Sequence, residues 1–344
     1  MAQFKLLILN DNDFNSGFGG QASFIKNLHP YLEKEFELTY LILPAYLFKQ
    51  RIIPIRLLYL LRVLLFLLRR QKKVDFILSH TPEASFVASF FKLPFIHIFH
   101  GNTNALEKSV FWYGKYLKGI FRFFEKRIIK KASLLYTVGD YRPDAKKFYN
   151  PIDIPNNLIK NNSTKSTGFV FAGRLEELKN VDSIISIYSS LPKTIQEKHK
   201  LEIIGTGTQE AKLRKLVHTL NLDDKIKFHG LVKNAKAIEI ISQSAILLMA
   251  SMHEGFPMVI AESLTVGTPI ISTDVGDIRS VVKNNFNGYL LPLGFSVDDY
   301  VEKITRILEN YDFYSHNAIK SSAIFDAKVI ASSFIADCRS ILIN

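Results

Sequence analysis

Short apolar runs alternate with helical stretches along most of this chain, and this alternation constrains its fold more than any other feature. Five runs in the first half have the length and composition of buried parallel strands. They are residues 4–9, 37–43, 74–79, 94–99 and 133–138. Helical patterns fill the stretches between them. Because strands that alternate with helices form βαβ units, the pattern predicts a doubly wound α/β sheet.

Five more runs predict a second sheet of the same kind. They are residues 168–173, 200–205, 225–230, 245–250 and 268–273. Residues 150–168, rich in Pro, Asn, Ser and Thr, are interpreted as the interdomain linker. We therefore expect two Rossmann-like domains, at 1–158 and 159–325, with a ligand in the interdomain cleft at the carboxyl ends of the strands. Residues 326–344 predict an amphipathic helix that packs back toward the first domain.

The composition fits a globular protein of this architecture. A chain of 344 residues is enough for about two domains, and a hydrophobic fraction of 47% argues against long disorder. The single cysteine, Cys338, excludes an internal disulfide framework and favours a reducing compartment. The first apolar run stops at Leu9 with no basic segment before it, which is too short for a signal peptide. We therefore expect a cytoplasmic protein.

Positive charge is concentrated in the first half of the chain. Residues 1–160 contain 24 Lys and Arg against 12 Asp and Glu, whereas residues 161–344 contain 20 of each. Such a surplus can attract nucleic acid, anionic lipid or an anionic substrate, and charge alone does not choose among them. The sequence has no recognisable nucleic-acid-binding module, so we expect no nucleic acid partner.

Two basic stretches of the first half could contact a membrane. Residues 49–73 contain eight Lys and Arg and no acidic residue, and residues 115–132 contain seven more basic residues. The apolar part of 49–73 is too short, and too interrupted by Arg62, to span a bilayer. It could lie in the interface of an anionic membrane, or it could be the buried helix that the fold needs here, and both can hold.

The stretch HEGFPMVIAE, residues 253–262, has glutamates on both sides of a predicted helix start. Glu254 falls in the loop, Pro257 suits the first helical position, and Glu262 follows Met258 by one turn on the same face. Exposed amides at a helix start bind anions, so the two carboxylates could hold hydroxyl groups at either end of a nucleotide sugar. The alternative is that Glu254 only favours the helix dipole and that Glu262 is solvated.

The stretch FVFAGRLEELKN, residues 169–180, has two cations after a predicted strand. Arg174 and Lys179 could neutralise a diphosphate without a metal ion, and Asn180 is expected to cap the next helix. Taken singly, each cation could equally be an ordinary surface residue.

Two weaker signals lie in the first half. Gly19 and Gly20 follow the first strand, where glycine lets the backbone approach a phosphate, although a tight turn needs glycine anyway. His100 follows the fourth strand and could hydrogen-bond a sugar or transfer a proton, whereas His97, in mid-strand, is interpreted as structural.

Several motifs stand in one order along the chain: AGRLEELKN, IIGTG, FHGLV, MASMHEGFPMVIAESLTVGTPIISTDVG and NGYLLP. Together they resemble the retaining glycosyltransferases of family 4, strongly from about 165 to 295 and more weakly over 1–150. The resemblance implies the GT-B fold, with an acceptor-side first domain and a second domain that binds the nucleotide sugar. It also implies transfer of a sugar to a hydroxyl acceptor with retention of configuration and without a divalent metal or cofactor.

The resemblance also implies roles for individual residues. Arg174 and Lys179 would bind the diphosphate, Glu262 the ribose, and Glu254 the hydroxyls of the donor sugar, while His100 would touch the transferring sugar. The expected catalytic set is Glu254, His100, Arg174 and Lys179. The other expected donor-site positions contribute mainly backbone: Gly19, Gly20, Val232, Gly255, Phe256, Pro257 and Met258.

The donor is expected to be a UDP- or GDP-sugar, and the acceptor a glycan or a lipid-linked molecule of the cell envelope at the inner face of the cytoplasmic membrane. A same-fold epimerase, a glycan phosphorylase and a non-catalytic membrane-surface protein remain alternatives. Arg279 stands where relatives often have an acidic residue, so a role for that position is in doubt. The triplet Asp11-Asn12-Asp13 resembles a metal-binding signature but falls in a strand-to-helix turn, and GTGTQE lacks the third glycine of a dinucleotide motif.

Overall fold

The computed structural model describes residues 3–10, 20–42, 55–100, 114–139, 142–160 and 167–343. By its internal contacts the chain divides into two compact units. Unit 1 contains residues 1–151 and 327–344, and unit 2 contains residues 152–326.

Unit 1 contains a sheet of six described strands, all paired in parallel, in the order β2-β1-β3-β4-β5-β6. These strands are β1 (Phe4–Leu9), β2 (Phe36–Leu41), β3 (Phe76–Ser79), β4 (Phe95–Phe99), β5 (Leu134–Thr137) and β6 (Lys146–Lys147). The helices along this part of the chain are α1 (Gly20–Leu32), α2 (Ile55–Arg70), α3 (Pro82–Ala88) and α4 (Gly114–Lys131).

The helices α2, α3 and α4 form one layer on one face of the sheet. Tyr59, Val63 and Leu67 of α2, with apolar residues of α3 and α4, join one buried cluster with residues of β1, β3, β4 and β5. The apolar face of each amphipathic helix is removed from water by this packing, which is the main force that fixes the layer.

Unit 2 also contains six described parallel strands, in the order β12-β11-β10-β7-β8-β9. They are β7 (Phe169–Ala172), β8 (Leu201–Ile204), β9 (Ile226–Gly230), β10 (Ile246–Met249), β11 (Ile270–Thr273) and β12 (Gly288–Leu291). The helices are α5 (Val181–Ser189), α6 (Lys193–Lys198), α7 (Glu210–Thr219), α8 (Asn234–Gln243), α9 (Met258–Thr265), α10 (Val297–Glu309) and α11 (Tyr311–Ser321). Counted within the unit, the order is 3-2-1-4-5-6, whose direction of winding reverses between β7 and β10.

The last helix, α12 (Ala327–Ile343), belongs to unit 1 and packs on α1. Phe334 of α12 packs on Tyr136 of β5, and Asp337 accepts hydrogen bonds from Tyr136 and from Lys146. Leu135 belongs to the buried cluster beneath the α2–α4 layer, whereas its neighbour Tyr136 contacts α12. Because neighbouring side chains of a strand point to opposite faces, α12 lies on the face opposite to the α2–α4 layer.

The α/β class with two parallel sheets is confirmed, and all ten predicted strands are present with ends that differ by at most two residues. The strands β6 and β12 were not predicted as strands. β6 has two lysines and no apolar run, and β12 is a short run that begins with glycine.

By their contacts, residues 152–160 of the expected linker belong to unit 2, and the division between the units falls after residue 151, where the sequence predicted 158. Ile152 bridges to Asp326, and Lys160 is buried within unit 2. The Lys160 Nζ donates to Ser244 O at 2.6 Å and to Thr268 Oγ1 at 2.8 Å. Burying an amino group without hydrogen-bond partners would cost free energy, and these contacts offset that cost.

Candidate functional site

The candidate donor site of unit 2 lies where β7 and β10 end side by side. The two strands pair in parallel, with Ile246 opposite Phe169. Arg174 and Lys179 therefore follow β7 at the same edge of the sheet at which Glu254 follows β10. A reversal of winding order leaves a crevice at this edge in open α/β sheets, and ligands bind there.

Glu254 is buried and paired with Lys179. Its side chain is 8% exposed, and its Oε1 lies 2.5 Å from the Lys179 Nζ. The Ser251 Oγ donates to the same oxygen at 2.7 Å. A backbone hydrogen bond from Met252 N to Leu178 O, at 2.8 Å, joins the two loops that carry this pair. The side chain thus has specific partners, which a residue placed only to favour the helix dipole would not need.

Lys179 is the last residue of a short 3-10 helix, Glu177–Lys179, and Asn180 follows it in the left-handed region with φ of 52°. Asn180 is the residue before α5, but its side chain makes no capping bond to the helix backbone. Its Oδ1 accepts a hydrogen bond from the Ser183 Oγ at 2.9 Å instead. The prediction that the Asn180 side chain caps α5 is therefore wrong.

Glu262 is buried inside unit 2. Its residue exposure is 8%, and the Asn234 Nδ2, at the first residue of α8, donates to its Oε1 at 2.9 Å. Burial raises the pKa of Glu262 to about 7 because the charged form loses hydration. The alternative of a solvated helix carboxylate is therefore wrong.

Sequence reasoning missed Asn234, because its contact with Glu262 joins residues of two different helices. The signal available in the sequence was its position two residues after Val232, which is half-buried between β9 and α8.

The helix α9 begins at Met258, one residue later than expected. Pro257 is the residue before the helix, with φ of −72° and ψ of 128°, and Phe256 packs on Phe325 with ring centroids 5.7 Å apart. Amides of the first turn of a helix have no partner within an ideal helix. In α9 the Ile260 amide donates to Pro257 O at 3.1 Å, so an anion site here would use the amides of Met258 and Val259.

A loop that the sequence did not single out supports Glu254 and Gly255. Gly276 has φ of +62°, and a Cβ built there would lie 2.3 Å from Gly255 O and 2.5 Å from Glu254 O. The amide of Asp277 donates to Gly255 O at 3.2 Å. Only glycine allows this approach, so Gly276 fixes the position of the backbone that carries Glu254.

Arg174 and Arg279 are both exposed. None of the ion pairs found in the described ranges includes Arg174. Arg279 makes two hydrogen bonds to Asp274, at 3.0 and 2.9 Å, so it neutralises a neighbouring carboxylate.

In unit 1, His100 follows β4 and contacts His80, which follows β3. The His80 Nδ1 and the His100 Nε2 lie 2.8 Å apart, so one imidazole donates and the other accepts. Phe24 of α1 lies edge-on to both rings, with centroids 5.5 Å away. Burial lowers the pKa of His100 to about 4 and the pKa of His80 well below its usual range.

His80 was not predicted as a site residue, although it follows a strand just as His100 does. His97 lies buried in β4 with its Nδ1 2.7 Å from the Ser85 Oγ, which fits the structural interpretation. Gly20 is the first residue of α1, and Gly19 and the Asp11–Asp13 triplet lie outside the described residues.

The described residues contain neither a metal-binding cluster nor a membrane-spanning helix. No cluster of three or more His, Cys, Asp or Glu in these ranges is arranged to hold a metal ion. Among the helices of these same ranges, none combines the length and the apolar character that crossing a bilayer requires.

A family profile described as "Glycosyl transferases group 1" matches residues 153–323, which is almost all of unit 2. Among curated relatives, the lipopolysaccharide 1,6-galactosyltransferase of Salmonella typhimurium is 27% identical over 180 residues, 51% of this chain and 49% of that protein. The N-acetyl-alpha-D-glucosaminyl L-malate synthase of Bacillus anthracis is 26% identical over 36% of this chain and 32% of that protein. The matched parts thus span about half, or less, of these relatives.

Solved structures match the whole chain. HepE from Anabaena, in complex with UDP, superposes with a TM-score of 0.75 at 17% identity and covers 98% of this chain and 100% of that one. The apo form of the lipopolysaccharide outer core galactosyltransferase WaaB gives a TM-score of 0.69 at 17% identity, covering 98% of this chain and 99% of that one. At these identities the similarity shows the fold, which is the GT-B fold of the glycosyltransferases.

Proposed function

Because this chain belongs to the group 1 glycosyl transferases, we propose that it transfers a sugar from a nucleotide-sugar donor to a hydroxyl group of an acceptor. The observation that carries the proposal is the pairing of Lys179 with Glu254 at the edge where β7 and β10 end. It joins a cation that could bind phosphate to a carboxylate that could bind sugar hydroxyls, at the reversal of strand order where open α/β sheets bind ligands.

Lys179 and Arg174 bind the diphosphate of the donor in this proposal. The ammonium of Lys179 has three donors, so a phosphate oxygen can share it with Glu254. The Glu254 carboxylate, held by Ser251, orients Lys179 and keeps acceptor oxygens for the hydroxyls of the donor sugar. Arg174 adds an exposed guanidinium group that can donate two hydrogen bonds to one phosphate.

Glu262 accepts hydrogen bonds from the ribose hydroxyls. When it is ionised, a carboxyl group accepts hydrogen bonds at both oxygens and donates none, and the Asn234 amide favours that ionised form by donating to it. The backbone of Val232 lies beside the base. The backbones of Gly255, Phe256, Pro257 and Met258 lie beside the sugar and phosphate.

The reaction retains the anomeric configuration by displacement on one face of the sugar. The bond between the anomeric carbon and the β-phosphate oxygen breaks, and a bond to the acceptor oxygen forms on the same face. The departing phosphate takes the acceptor proton, so no covalent nucleophile is assigned. Negative charge grows on the phosphate, and fixed donors at Lys179, Arg174 and the start of α9 stabilise it electrostatically without a divalent metal.

His100 contacts the transferring sugar as a neutral imidazole. Its lowered pKa keeps it uncharged near neutral pH, and the contact with His80 fixes the orientation of its ring. That Gly19 and Gly20 lie over the phosphates stays a prediction, because Gly19 is outside the described residues.

The acceptor is a glycan or lipid-linked molecule of the cell envelope, and the protein works in the cytoplasm at the inner face of the membrane. The similarity to a lipopolysaccharide 1,6-galactosyltransferase supports this class of acceptor, and the HepE complex with UDP supports a nucleotide-sugar donor, which is a UDP- or GDP-sugar in this proposal. Neither relative specifies the sugar.

Slow hydrolysis of a panel of UDP- and GDP-sugars tests the proposal. One donor should release its nucleotide at a rate that rises when an acceptor glycan is added, in buffer containing a metal chelator. Epimerisation of the donor, or phosphorolysis of a glycan, would indicate another reaction of this fold. Binding to vesicles without any donor turnover would favour a non-catalytic membrane protein.

A further inference from the structure

An apolar stripe runs along the outward face of α2. Leu57, Leu61, Leu65 and Leu68 are 48%, 44%, 50% and 60% exposed. Their spacing of four, four and three residues places them in one row on the helix surface. The buried row of Tyr59, Val63 and Leu67 lies roughly 200° around the helix from them, at about 100° per residue. The helix is thus apolar on two opposite faces, and the packing of unit 1 uses only one.

Exposed phenylalanines extend this surface on the neighbouring helices. Phe90, just after α3, is 61% exposed and Phe123 of α4 is 58% exposed. Both rings contact Phe86, at centroid distances of 5.1 and 5.9 Å. Because α3 contacts both α2 and α4, the leucines and phenylalanines belong to the same outer layer of unit 1. Apolar side chains gathered on one layer mark an interaction surface more clearly than scattered ones.

The same layer is strongly basic. Its exposed cations are Arg62, Arg69, Arg70, Lys72, Lys73, Lys92, Arg122, Lys126, Lys130 and Lys131. The ion pairs identified in the described ranges leave all ten of these cations unpaired. The acidic side chains described on α2, α3 and α4 are Glu83, which is buried, and Glu125, which is paired with Arg142. The surface therefore has a large net positive charge around its apolar residues.

We infer that this surface, which we call the α2–α4 face, docks on an anionic phospholipid bilayer. The leucine row and the two phenylalanines enter the interface between headgroups and acyl chains, while the surrounding Arg and Lys contact lipid phosphates. The helix lies flat in this arrangement, because it is too short and too charged to span the membrane.

Charge and shape favour a bilayer over the other partners for such a face. A second copy of this chain would bring two like-charged faces together, which costs free energy at contact distance. A nucleic acid would pair with the cations but would leave a row of leucines in water. Only an anionic membrane offers phosphates and an apolar phase at adjacent depths.

Sedimentation of the full-length protein with lipid vesicles tests this inference. Binding should be weak to phosphatidylcholine vesicles, rise as phosphatidylglycerol replaces part of the lipid, and fall with added salt. The double variant Leu61→Ser/Leu65→Ser should lose affinity by roughly 100-fold, about tenfold for each leucine that leaves the interface. Arg62→Ser/Arg69→Ser should lose roughly 30-fold, about fivefold for each cation.

Matched variants in unit 2 provide the controls. Leu293→Ser/Phe313→Ser removes two side chains of similar exposure, and Lys193→Ser/Lys198→Ser removes two exposed cations. Both should bind vesicles as the unaltered protein does. UDP binding by calorimetry should be unchanged in all four double variants, which separates a failure of this inference from a failure of the donor-site proposal.

Several results would overturn the inference. These are equal binding to neutral and anionic vesicles, leucine variants that bind normally, or tighter binding to a DNA duplex than to the vesicles. Sedimentation velocity that shows a dimer, dissociated by the leucine substitutions, would assign the face to a second copy.

Discussion

The two units are built on similar parallel sheets but differ in charge and in what stands at the ends of their strands. Unit 1 contains 25 Lys and Arg against 12 Asp and Glu, and unit 2 contains 19 against 20. At the carboxyl ends of β7 and β10, unit 2 has charged groups that partner one another, such as Lys179 and Glu254. At the ends of β3 and β4, unit 1 has two imidazoles in contact, the buried His80 and the half-buried His100.

The comparison shows that similar parallel sheets can support buried groups whose pKa values shift in opposite directions. Burial lowers the pKa values of the histidines and keeps them neutral, whereas it raises the pKa of Glu262 to about 7 in unit 2. Desolvation opposes the charged form in both units. As a result, His80 and His100 stay neutral near pH 7 in unit 1, whereas the Glu262 carboxyl group titrates near physiological pH in unit 2.

The largest expected effect is on the charged pair of unit 2. Lys179→Ala should lower kcat by about 100- to 1,000-fold, because it removes a donor aimed at the growing phosphate charge. Steady-state donor turnover measures this, with circular dichroism to verify the fold. Lys212→Ala, an exposed cation of the same unit, serves as the control and should turn over normally. Unchanged kinetics in Lys179→Ala would contradict the assigned role.

The next effect concerns the loop that supports Glu254. Gly276→Ala should cost about 1–3 kcal/mol of unfolding free energy and reduce donor turnover, because the new Cβ would strike the carbonyls of Glu254 and Gly255. Gly294→Ala is the matched control, since Gly294 also has a positive φ, of +83°, but nothing lies within 4 Å of its Cβ. Equal loss of turnover in both variants would mean that backbone strain alone, and not the contact with Glu254, is responsible.

A smaller effect is a pH dependence of the free energy of unfolding that His97 of unit 1 should cause. Burial lowers the pKa of His97 from 6.5 to about 3, so between these values the unfolded chain binds more protons than the folded one. The stabilising term is complete above pH 6.5 and is lost as the pH falls, by roughly 2 kcal/mol at pH 5. Urea unfolding at pH 7 and pH 5 measures it, and His97→Gln should lose less stability on acidification than the unaltered protein does.

The smallest effect is a modest pH dependence of nucleotide affinity in unit 2. Since Glu262 has a pKa of about 7, UDP binding should strengthen a few-fold as the pH rises from 6 to 8 and the carboxylate ionises. Calorimetry on Glu262→Gln, which cannot ionise, separates this contribution from the titration of UDP itself. Identical pH profiles for the two proteins would remove Glu262 from the nucleotide site.

Much of this architecture could be predicted from the sequence. The apolar runs gave ten strands because a buried parallel strand must be apolar on both faces, and this requirement is local. The order of Arg174, Lys179, Glu254 and Glu262 likewise predicted a shared edge, because parallel strands end on the same side of a sheet. The difference in charge between the two halves of the chain follows directly from the counts of Lys, Arg, Asp and Glu.

The tertiary structure alone decided which of these residues have partners and which face water. Lys179 meets Glu254, Asn234 meets Glu262, and His80 meets His100 only because separate strands and helices become neighbours. The outward row of leucines on α2 was also hidden, since an apolar pattern shows that a helix has two apolar faces but not which one the sheet covers. Burial and pairing depend on contacts between residues distant in the chain, and a linear pattern does not contain them.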